Sequence, residues 1–258
     1  MYMHRKVDLI RLPHHGKAII ITDLHGNWKD FEKVMDLWEN TFHKEQHLVI
    51  TGDFIHAMGK ENDNSLDILD AVKYEWGKHE NFHLLLGNHE WATITRLSVY
   101  KGGINVTLNF EQLLREKFQD EWESKLNEYT EFLKKLPIAV ITANQVFISH
   151  AGPPKKSMSL EQLVNLTNKG YMENESLFEI LWCRHGDYNK KDVDRFLEAV
   201  ECKAMIVGHT PVDGAKLIGN QLVVSSSYSR GKKAYVELDL EREIQSAKDL
   251  KKMVKYFP

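Results

Sequence analysis

The sequence predicts an α/β fold organised as one domain over residues 1–258. A series of short runs of β-branched and other apolar residues, bounded by turn residues, has the length and composition of strands. Amphipathic segments separate the first three of these runs, and this strand–helix–strand order is typical of a parallel sheet. No repeat and no linker rich in Gly, Ser or Pro divides the chain, so a single domain is the simplest organisation.

The elements follow in chain order. The predicted strands are 17–23, 47–53, 82–88, 138–142, 145–149, 204–208, 221–226 and 234–240. The predicted helices between the first three strands are 29–40 and 65–78. The strands after residue 138 are crowded together over short turns, which predicts a second sheet with more antiparallel pairs.

A long amphipathic stretch interrupts this order at about residues 104–137. Apolar residues recur there at three- and four-residue steps, which predicts one long helix or a helical hairpin that ends at Pro137. The residues of this stripe are Phe110, Leu114, Phe118, Trp122, Leu126, Tyr129, Leu133 and Leu136. The segment is either an ordinary packing helix or a cap over the functional cleft, because it lies between two of the motifs described below.

Charge and composition exclude several classes of function. The formal net charge of the 258 residues is -3, which gives no sign of a nucleic-acid or membrane-surface partner. Cys183 and Cys202 have no metal-binding spacing, and so few cysteines suit a reducing compartment. We find neither an apolar signal segment among the first residues nor a run of about 18 apolar residues. We therefore expect a cytoplasmic protein without a membrane span, and its oligomeric state is left open.

The first predicted strand ends in two polar side chains. Asp23 and His25 follow the apolar run 17–21. In an extended chain, residues two apart point to the same side, so this carboxylate and this imidazole are expected to converge. On its own the pair suits either a metal site or a polar strand end that leads into a capped helix.

Four further strands end in the same way, usually beside a glycine. Asp53 ends the second strand, Asn88 ends the third, and His150 and His209 end two later ones. Ligands of open α/β sheets bind at the carboxyl ends of strands, so these side chains are expected to meet in one cleft. The neighbouring glycines permit sharp turns and close backbone approach there. Together the five strand ends predict a metal site.

The types of ligand restrict the metal and the chemistry. Asp, His and Asn without a thiolate suit manganese, with iron or zinc as alternatives, and argue against calcium. Six candidate ligands are too many for one ion with an open position and enough for two. Two divalent ions about 4 Å apart activate a bridging hydroxide as the nucleophile of an in-line displacement. Because such a cluster keeps a net positive charge, its expected substrate is a phosphate ester.

These motifs resemble those of the binuclear metallophosphoesterases, and among them the serine/threonine type of phosphoprotein phosphatases in a bacterial-like variant. The family pattern reads GDxHG, GDxVDRG, GNHE, HGG and GH, and the matching segments here are TDLHG, GDFIHAMG, LLGNHE, SHAG and GHTP. The resemblance covers roughly residues 17–240. It implies a four-layer α/β/β/α sandwich with a helical insertion, two divalent metal ions, and a phosphorylated protein or small phosphoester as substrate.

The resemblance also implies a role for each motif residue. The implied metal ligands are Asp23 and His25 for the first ion, Asp53 for both ions, and Asn88, His150 and His209 for the second ion. His89 would be the general acid that protonates the leaving alkoxide. This role suits a histidine because its side chain titrates closest to neutral pH.

The second motif departs from the family pattern. His56 and Ala57 stand where the pattern has an aspartate that orients the catalytic histidine and an arginine that binds phosphate, and a polar insertion at 59–64 follows Met58. His56 is either a replacement for the aspartate or an ordinary surface or satisfied histidine. Other phosphate ligands are then needed, and the candidates are, first, Arg184, and then Arg96, Arg230 and Tyr228.

These features predict a metal-dependent phosphomonoesterase, either a protein serine/threonine phosphatase or one that also accepts phosphotyrosine. The main alternative is a diadenosine-polyphosphate or other nucleotide pyrophosphohydrolase, which would share the metal site. A non-catalytic, metal-lined scaffold is a weaker alternative because the six ligands and His89 are all present. Neither cysteine begins a Cys-x5-Arg motif, and no Walker-type loop ends in Lys-Ser/Thr, which excludes two other classes of phosphate-transferring enzyme.

Overall fold

The computed structural model describes residues 8–41, 45–57 and 63–258. These residues form a four-layer α/β/β/α sandwich, as predicted, in which two sheets pack face to face and helices cover the outer face of each. Met58 and most of the polar insertion at 59–64 lie outside the described residues.

The elements are as follows. The strands are β1 (Leu9–Leu12), β2 (Lys17–Ile21), β3 (Gln46–Ile50), β4 (Phe82–Leu84), β5 (Tyr100–Lys101), β6 (Ile104–Asn105), β7 (Ala139–Thr142), β8 (Val146–Ser149), β9 (Ala204–Val207), β10 (Ala215–Ile218), β11 (Gln221–Val224), β12 (Ala234–Asp239) and β13 (Val254–Tyr256). The helices are α1 (Trp28–Thr41), α2 (Ser65–Lys78), α3 (Asn88–Thr95), α4 (Val106–Phe118), α5 (Trp122–Leu133), α6 (Leu160–Val164), α7 (Glu175–Trp182), α8 (Lys190–Ala199) and α9 (Ala247–Lys251), with 3-10 turns at Gln119–Glu121 and Leu166–Lys169. Within the described parts of the chain, no helix is both long enough and apolar enough to cross a membrane.

The first sheet has the order β13-β12-β2-β3-β4. Strands β2, β3 and β4 are parallel, as the alternation of strands and helices predicts. Along β2, Ile19 and Ile21 pack with the helices outside the sheet, whereas Ala18 and Ile20 pack with the other sheet. Because both faces of β2 are buried, its sequence is a continuous apolar run without alternation.

The second sheet has the order β1-β7-β8-β9-β11-β10, and the sequence prediction for it is wrong in two respects. The sheet is mixed, because β1–β7, β8–β9 and β9–β11 are parallel and the antiparallel pairs are the hairpins β7–β8 and β10–β11. Residues 150–203, which contain α6, α7 and α8, form the long crossover that a parallel β8–β9 pair requires. The predicted strand 234–240 corresponds to β12, which belongs to the first sheet, where Val236 pairs with Ile20.

The sequence analysis also missed strands β1, β10 and β13. Each is an edge strand of its sheet, paired on one side only, so part of it faces solvent. Polar residues interrupt the apolar pattern of each strand for this reason: Arg11 in β1, Lys216 in β10 and Lys255 in β13 are all exposed.

The inserted segment consists of the hairpin β5–β6 followed by α4 and α5. Gln119 has a positive φ of 47° and separates the two helices, so the apolar stripe forms a helical pair. The pair packs against neighbouring helices: the hydroxyl of Tyr129 donates to Asp70 of α2 at 2.7 Å, and Phe132 contacts Trp76. The described residues that line the cleft discussed below include none from α4 or α5. The two helices therefore pack against α2 and, through Phe110, against His56, whereas the described lining of the cleft comes from other segments.

Candidate metal centre

Polar residues that follow the ends of β2, β3, β4, β8 and β9 meet in one place. Ligand atoms of Asp23, Asp53, His150 and His209 lie within 4.8 Å of one another, as do those of His25, Asp53 and His89. The carbonyl Oδ1 of Asn88 is 2.8 Å from Nε2 of His150. The structure therefore brings together all six predicted ligands, and we call them the ligand cluster: Asp23, His25, Asp53, Asn88, His150 and His209.

The chain reaches the ligand cluster in a strained conformation. Positive φ angles occur at Asp23 (31°), His25 (46°), Asp53 (53°) and His209 (61°). The expectation that Asp23 and His25 converge as alternate residues of an extended strand is therefore wrong, because β2 already ends at Ile21. Each non-glycine residue in this region costs about 1–3 kcal/mol, and such strain is typical of functional sites.

Two glycines permit the close approach of the loops after β3 and β4. A Cβ atom added to Gly52, whose φ is +102°, would lie 2.4 Å from the backbone nitrogen of Gly87. A Cβ atom added to Gly87 would lie 2.5 Å from the backbone nitrogen of Asp53. Both distances are below van der Waals contact, so these two positions require glycine.

The buried carboxylate of Glu90 fixes the same two loops. It accepts the backbone N–H groups of Asp53 at 2.7 Å, Gly87 at 3.0 Å and Phe54 at 3.1 Å. Burial raises the pKa of Glu90 to about 8, while the backbone N–H donors oppose this shift because they stabilise the carboxylate. Glu90 thus holds Asp53 against the start of α3.

Hydrogen bonds to the backbone determine which ring nitrogen of two histidines faces the ligand cluster. The Nδ1–H of His150 donates to the carbonyl of Thr51 at 3.1 Å, which leaves Nε2 with a free lone pair. The Nε2–H of His209 donates to the carbonyl of Trp182 at 3.2 Å, which leaves Nδ1 with a free lone pair. A backbone carbonyl that orients a histidine in this way is typical of metal ligands.

These lone pairs face one another without a proton between them. Nε2 of His150 is 3.1 Å from Nδ1 of His209, 2.8 Å from the carbonyl oxygen of Asn88 and 3.5 Å from Oδ2 of Asp53. Such a set of acceptors repels itself unless a cation lies among them. The donor set of two imidazoles, an amide oxygen and a carboxylate is one that divalent transition metals prefer. The residues present therefore fit a metal ion.

Asp23 and His25, which the resemblance assigns to one ion, fall into different groups of ligand atoms. Nε2 of His25 is 3.7 Å from Oδ2 of Asp53. The carboxylate of Asp23 accepts the backbone N–H of His209 at 2.8 Å, so its ligand atom falls with His150 and His209. Asp53 belongs to both groups of ligand atoms, which is the position of a bridging carboxylate.

Burial shifts the pKa of every titratable member of the ligand cluster toward its neutral form. It raises the pKa of Asp23 to about 6 and that of Asp53 to about 7, and it lowers the pKa of His150 to about 4. The pKa values of His25 and His209 are lowered well below the usual range for the same reason. Neutral imidazoles are the form that binds metal, and a bound cation would favour the carboxylate form of both aspartates.

His89 lies at the edge of the ligand cluster. Its backbone N–H donates to Oδ1 of Asp53 at 3.0 Å, and its Nε2 is 3.8 Å from Oδ2 of the same carboxylate. The other ring nitrogen, Nδ1, is 3.0 Å from Nδ1 of His56. His89 is thus near enough to the cluster to protonate a leaving group, and its role as general acid remains a prediction.

A cleft of about 580 Å³, including the part open to solvent, lies beside the ligand cluster. Asp23, His25 and His209 line it together with Lys101 and Tyr228. Lys101 was missed in the sequence analysis. It lies on β5 and directly precedes the Gly102–Gly103 turn, where φ is +56° and +82°. Burial lowers the pKa of Lys101, and the negative charges of Asp53 and Asp23 oppose this shift.

The three arginines predicted to bind phosphate occupy different places. The charge of Arg184 acts on Asp53, His150 and His209, and its side chain is exposed just after α7. Arg96 is exposed and donates to Asn127 of α5 at 3.5 Å. Arg230 is exposed and does not belong to the described residues that line the cleft, unlike its neighbour Tyr228. Among the predicted phosphate ligands, Arg184 and Tyr228 therefore lie nearest the ligand cluster.

Both cysteines are buried. Burial raises the pKa of Cys183 to about 11 and that of Cys202 to about 12. Both are protonated thiols near neutral pH, so neither supplies a thiolate nucleophile.

Comparison with known proteins gives one family and several relatives. The model of a family described as calcineurin-like phosphoesterase matches residues 16–213. A protein of Encephalitozoon cuniculi, named a probable serine/threonine-protein phosphatase, is 23% identical over 176 residues, which are 68% of this chain and 35% of that protein. The chain thus spans about a third of the length of this relative.

Two solved structures share the fold. A serine/threonine phosphatase of Saccharomyces cerevisiae, described as similar to human phosphatase PP5, has a TM-score of 0.71 and 17% identity, with coverage of 98% of this chain and 84% of that one. The cold-active protein-tyrosine phosphatase of a psychrophilic Shewanella species has a TM-score of 0.64 and 15% identity, with coverage of 91% and 80%. At these identities the likeness shows the fold alone.

Proposed function

The chain belongs to the calcineurin-like phosphoesterase family, and we propose that it is a metal-dependent phosphomonoesterase that acts on phosphorylated proteins. The proposed substrates are phosphoserine and phosphothreonine, with phosphotyrosine as a further candidate. One observation carries this proposal: acceptor atoms from five strand ends converge beside an open cleft with a cation at its wall. Such a site suits a phosphate ester, whose negative charge meets metal ions and a lysine.

The ligand cluster would hold two divalent ions, with manganese as the proposed metal and iron or zinc as alternatives. Asp53 would be shared between them, as its place in both groups of ligand atoms supports. When bound, the two ions supply an activated water and neutralise the charge of the phosphoryl group. The backbone carbonyls of Thr51 and Trp182 keep His150 and His209 in the metal-binding tautomer, and both rings are buried from water.

The remaining groups would bind and protonate the substrate. Lys101 and Arg184 would hold the non-bridging oxygens of the phosphate, in place of the arginine that Ala57 replaces. Tyr228 would form the wall against which the leaving group lies. As the phosphorus–oxygen bond breaks, Nε2–H of His89 would give its proton to the leaving oxygen.

A substrate panel tests the proposal. Manganese-loaded protein is compared on phosphoserine, phosphothreonine and phosphotyrosine peptides, p-nitrophenyl phosphate and diadenosine tetraphosphate. We expect the phosphopeptides or the aryl phosphate to give the highest kcat/KM. A preference of a hundredfold or more for the dinucleotide would instead assign a nucleotide pyrophosphohydrolase. The exposed variant Asp36→Asn serves as the preparation control, because it lies on the outer face of α1.

A further inference from the structure

His56 lies behind His89 in a fully buried position. Its Nδ1 is 3.0 Å from Nδ1 of His89, and its Nε2 is 3.1 Å from the hydroxyl oxygen of Thr93. The backbone of His56 is held at a φ of +62°, in the left-handed region that most residues avoid. His56 is therefore not an ordinary surface residue, because it is buried, has a strained backbone and forms a hydrogen bond through each ring nitrogen.

The hydrogen bonds determine which atoms donate and which accept in the series Thr93, His56 and His89. The hydroxyl of Thr93 donates to the carbonyl of His89, one helical turn earlier, at 3.2 Å. Its oxygen is then free to accept Nε2–H of His56, which leaves Nδ1 of His56 as an acceptor. His89 must therefore donate its own Nδ1–H to His56, and its Nε2 points toward Asp53.

The surroundings of His56 support the role of a neutral acceptor. Burial lowers the pKa of His56 to about 3, so the ring is uncharged near neutral pH. On its other side it packs against Phe110 of α4, with ring centroids 5.2 Å apart. The inserted helical pair thus closes the space behind His56 and keeps water from competing for its nitrogens.

We propose that His56 is the positioning residue for His89, and that Thr93 fixes the tautomer of His56 so that it can accept from His89. This inference rests on the proposed phosphoester hydrolysis. When the phosphorus–oxygen bond breaks, its electron pair stays on the leaving oxygen, which takes the proton from Nε2 of the His89 imidazolium. Neutral His89 remains, and its Nδ1–H still donates to His56. His56 stands at the motif position where the resembling family has an aspartate.

The first test uses substrates that differ in their need for an acid. Loss of orientation should matter for phosphoserine, whose alkoxide must be protonated, and little for p-nitrophenyl phosphate, whose phenolate leaves unaided. Thr93→Val keeps the shape of the side chain and removes its hydroxyl. We expect it and His56→Leu to lower kcat on a phosphoserine peptide roughly 10- to 100-fold, the usual effect of losing a supporting hydrogen bond, with KM nearly unchanged.

Two further variants separate positioning from packing. Asparagine tolerates a positive φ, and its carbonyl oxygen lies where Nδ1 of histidine does, so His56→Asn should recover most of the lost kcat. Phe110→Leu loosens the packing around His56 but leaves its hydrogen bonds. This variant should therefore keep the parent ratio of kcat on the phosphoserine peptide to kcat on p-nitrophenyl phosphate. Equal losses on both substrates, with loss of metal, would make His56 a structural residue and overturn the inference.

A second readout needs no turnover. Nitrogen-15 NMR of histidine-labelled, zinc-loaded protein shows which ring nitrogen carries the proton. We expect a proton on Nδ1 of His89 and on Nε2 of His56 in the parent, and a mixture of tautomers in Thr93→Val. A proton on Nδ1 of His56 in the parent would overturn the inference. If the parent hydrolysed no phosphomonoester, the proposed function would fail while this measurement still decided the role of His56.

Discussion

The ligand cluster differs from the two cations proposed to bind phosphate, Lys101 and Arg184, in how the chain holds them, and we call these two residues the cationic rim. Four members of the ligand cluster are buried and two, Asp23 and His25, are half-buried. The backbone carbonyls of Thr51 and Trp182 orient two of its histidines. The rim residues lie on a two-residue strand and on the loop after α7. The candidate metal site thus lies at the ends of the sheets, while the residues proposed to bind substrate lie on segments added to them.

Because of this difference, substitutions in the two regions should affect function in different ways. A change in the ligand cluster leaves buried acceptors without a partner, which costs about 1–3 kcal/mol for each group. A change at the rim, which consists of half-buried Lys101 and exposed Arg184, should disturb the packing less and alter the proposed contacts to substrate. We therefore expect the two regions to respond to substitution in different ways, and the following predictions compare them.

The largest effect is expected for Asp53, which belongs to both groups of ligand atoms. Asp53→Asn removes the charge that two cations would share, so activity should fall to the background rate and the metal content should drop. Activity on p-nitrophenyl phosphate and elemental analysis of the same sample measure both effects. The exposed Asp36→Asn serves as the matched control. Full activity in the Asp53 variant would exclude a bridging role.

The next largest effect is expected for His89. His89→Asn should keep its metal and lose roughly 100- to 10,000-fold in kcat on a phosphoserine peptide, the usual range for general acid catalysis. The loss on p-nitrophenyl phosphate should be smaller because its leaving group needs less protonation. Loss of metal from this variant would show that His89 is a ligand, as its place near His25 and Asp53 permits.

A third effect concerns the stability of metal-free protein. The pKa of Asp53 is about 7 in the folded protein, whereas an aspartate in an unfolded chain titrates near 4. Between these two values the unfolded chain is ionised and the folded chain keeps its proton, so the stability contribution of Asp53 falls as pH rises. Asparagine does not titrate.

Asp53→Asn should therefore stabilise the metal-free protein more at pH 8 than at pH 4. We expect its effects on the free energy of unfolding at the two pH values to differ by on the order of 2 kcal/mol. Urea unfolding at the two pH values measures this difference. An effect that is the same at both pH values would mean that the pKa of Asp53 in the folded protein equals its value in the unfolded chain.

The smallest effect is expected at the cationic rim. Lys101→Ala and Arg184→Ala should each lower kcat/KM at least about tenfold, equivalent to about 1.4 kcal/mol, without loss of metal or of stability. Arg184→Lys should recover only part of the loss because lysine lacks the planar pair of donors. Inorganic phosphate should also inhibit both alanine variants more weakly.

Arg96→Ala and Arg230→Ala are the controls for the rim. Neither arginine is among the described residues that line the cleft, as Lys101 is, or among the main charges that shift the pKa values of Asp53, His150 and His209, as Arg184 is. Both should retain the parent kcat/KM. If either substitution lowered kcat/KM more than Lys101→Ala and Arg184→Ala do, other residues than the cationic rim would bind the phosphate.

The ligand cluster could be predicted from sequence for a physical reason. Each ligand follows an apolar run, and parallel strands that end at one edge must bring such residues together. The side chains do meet although the assumed backbone was wrong, because Asp23 and His25 have positive φ angles and do not lie on an extended strand. Sheet packing determined their meeting more strongly than local conformation.

The supporting residues could not be predicted in the same way. The position of His56 in the second motif suggested a replacement for the orienting aspartate. Its contact with Thr93 forms only because α3 packs beside the loop after β3, and no local pattern encodes that contact. Lys101 lies in an insertion, where the sole local signal is the following Gly-Gly turn. The edge strands β1, β10 and β13 were missed because solvent-facing residues break their apolar patterns.

The central claim is that the six ligands hold two metal ions around Asp53. The most direct measurement is the metal content of the protein by elemental mass spectrometry, after manganese loading and removal of free metal. We predict two manganese ions per chain in the parent and at most one in Asp53→Asn. A parent that retains one ion or none, or an Asp53→Asn variant that still retains two, would contradict the claim.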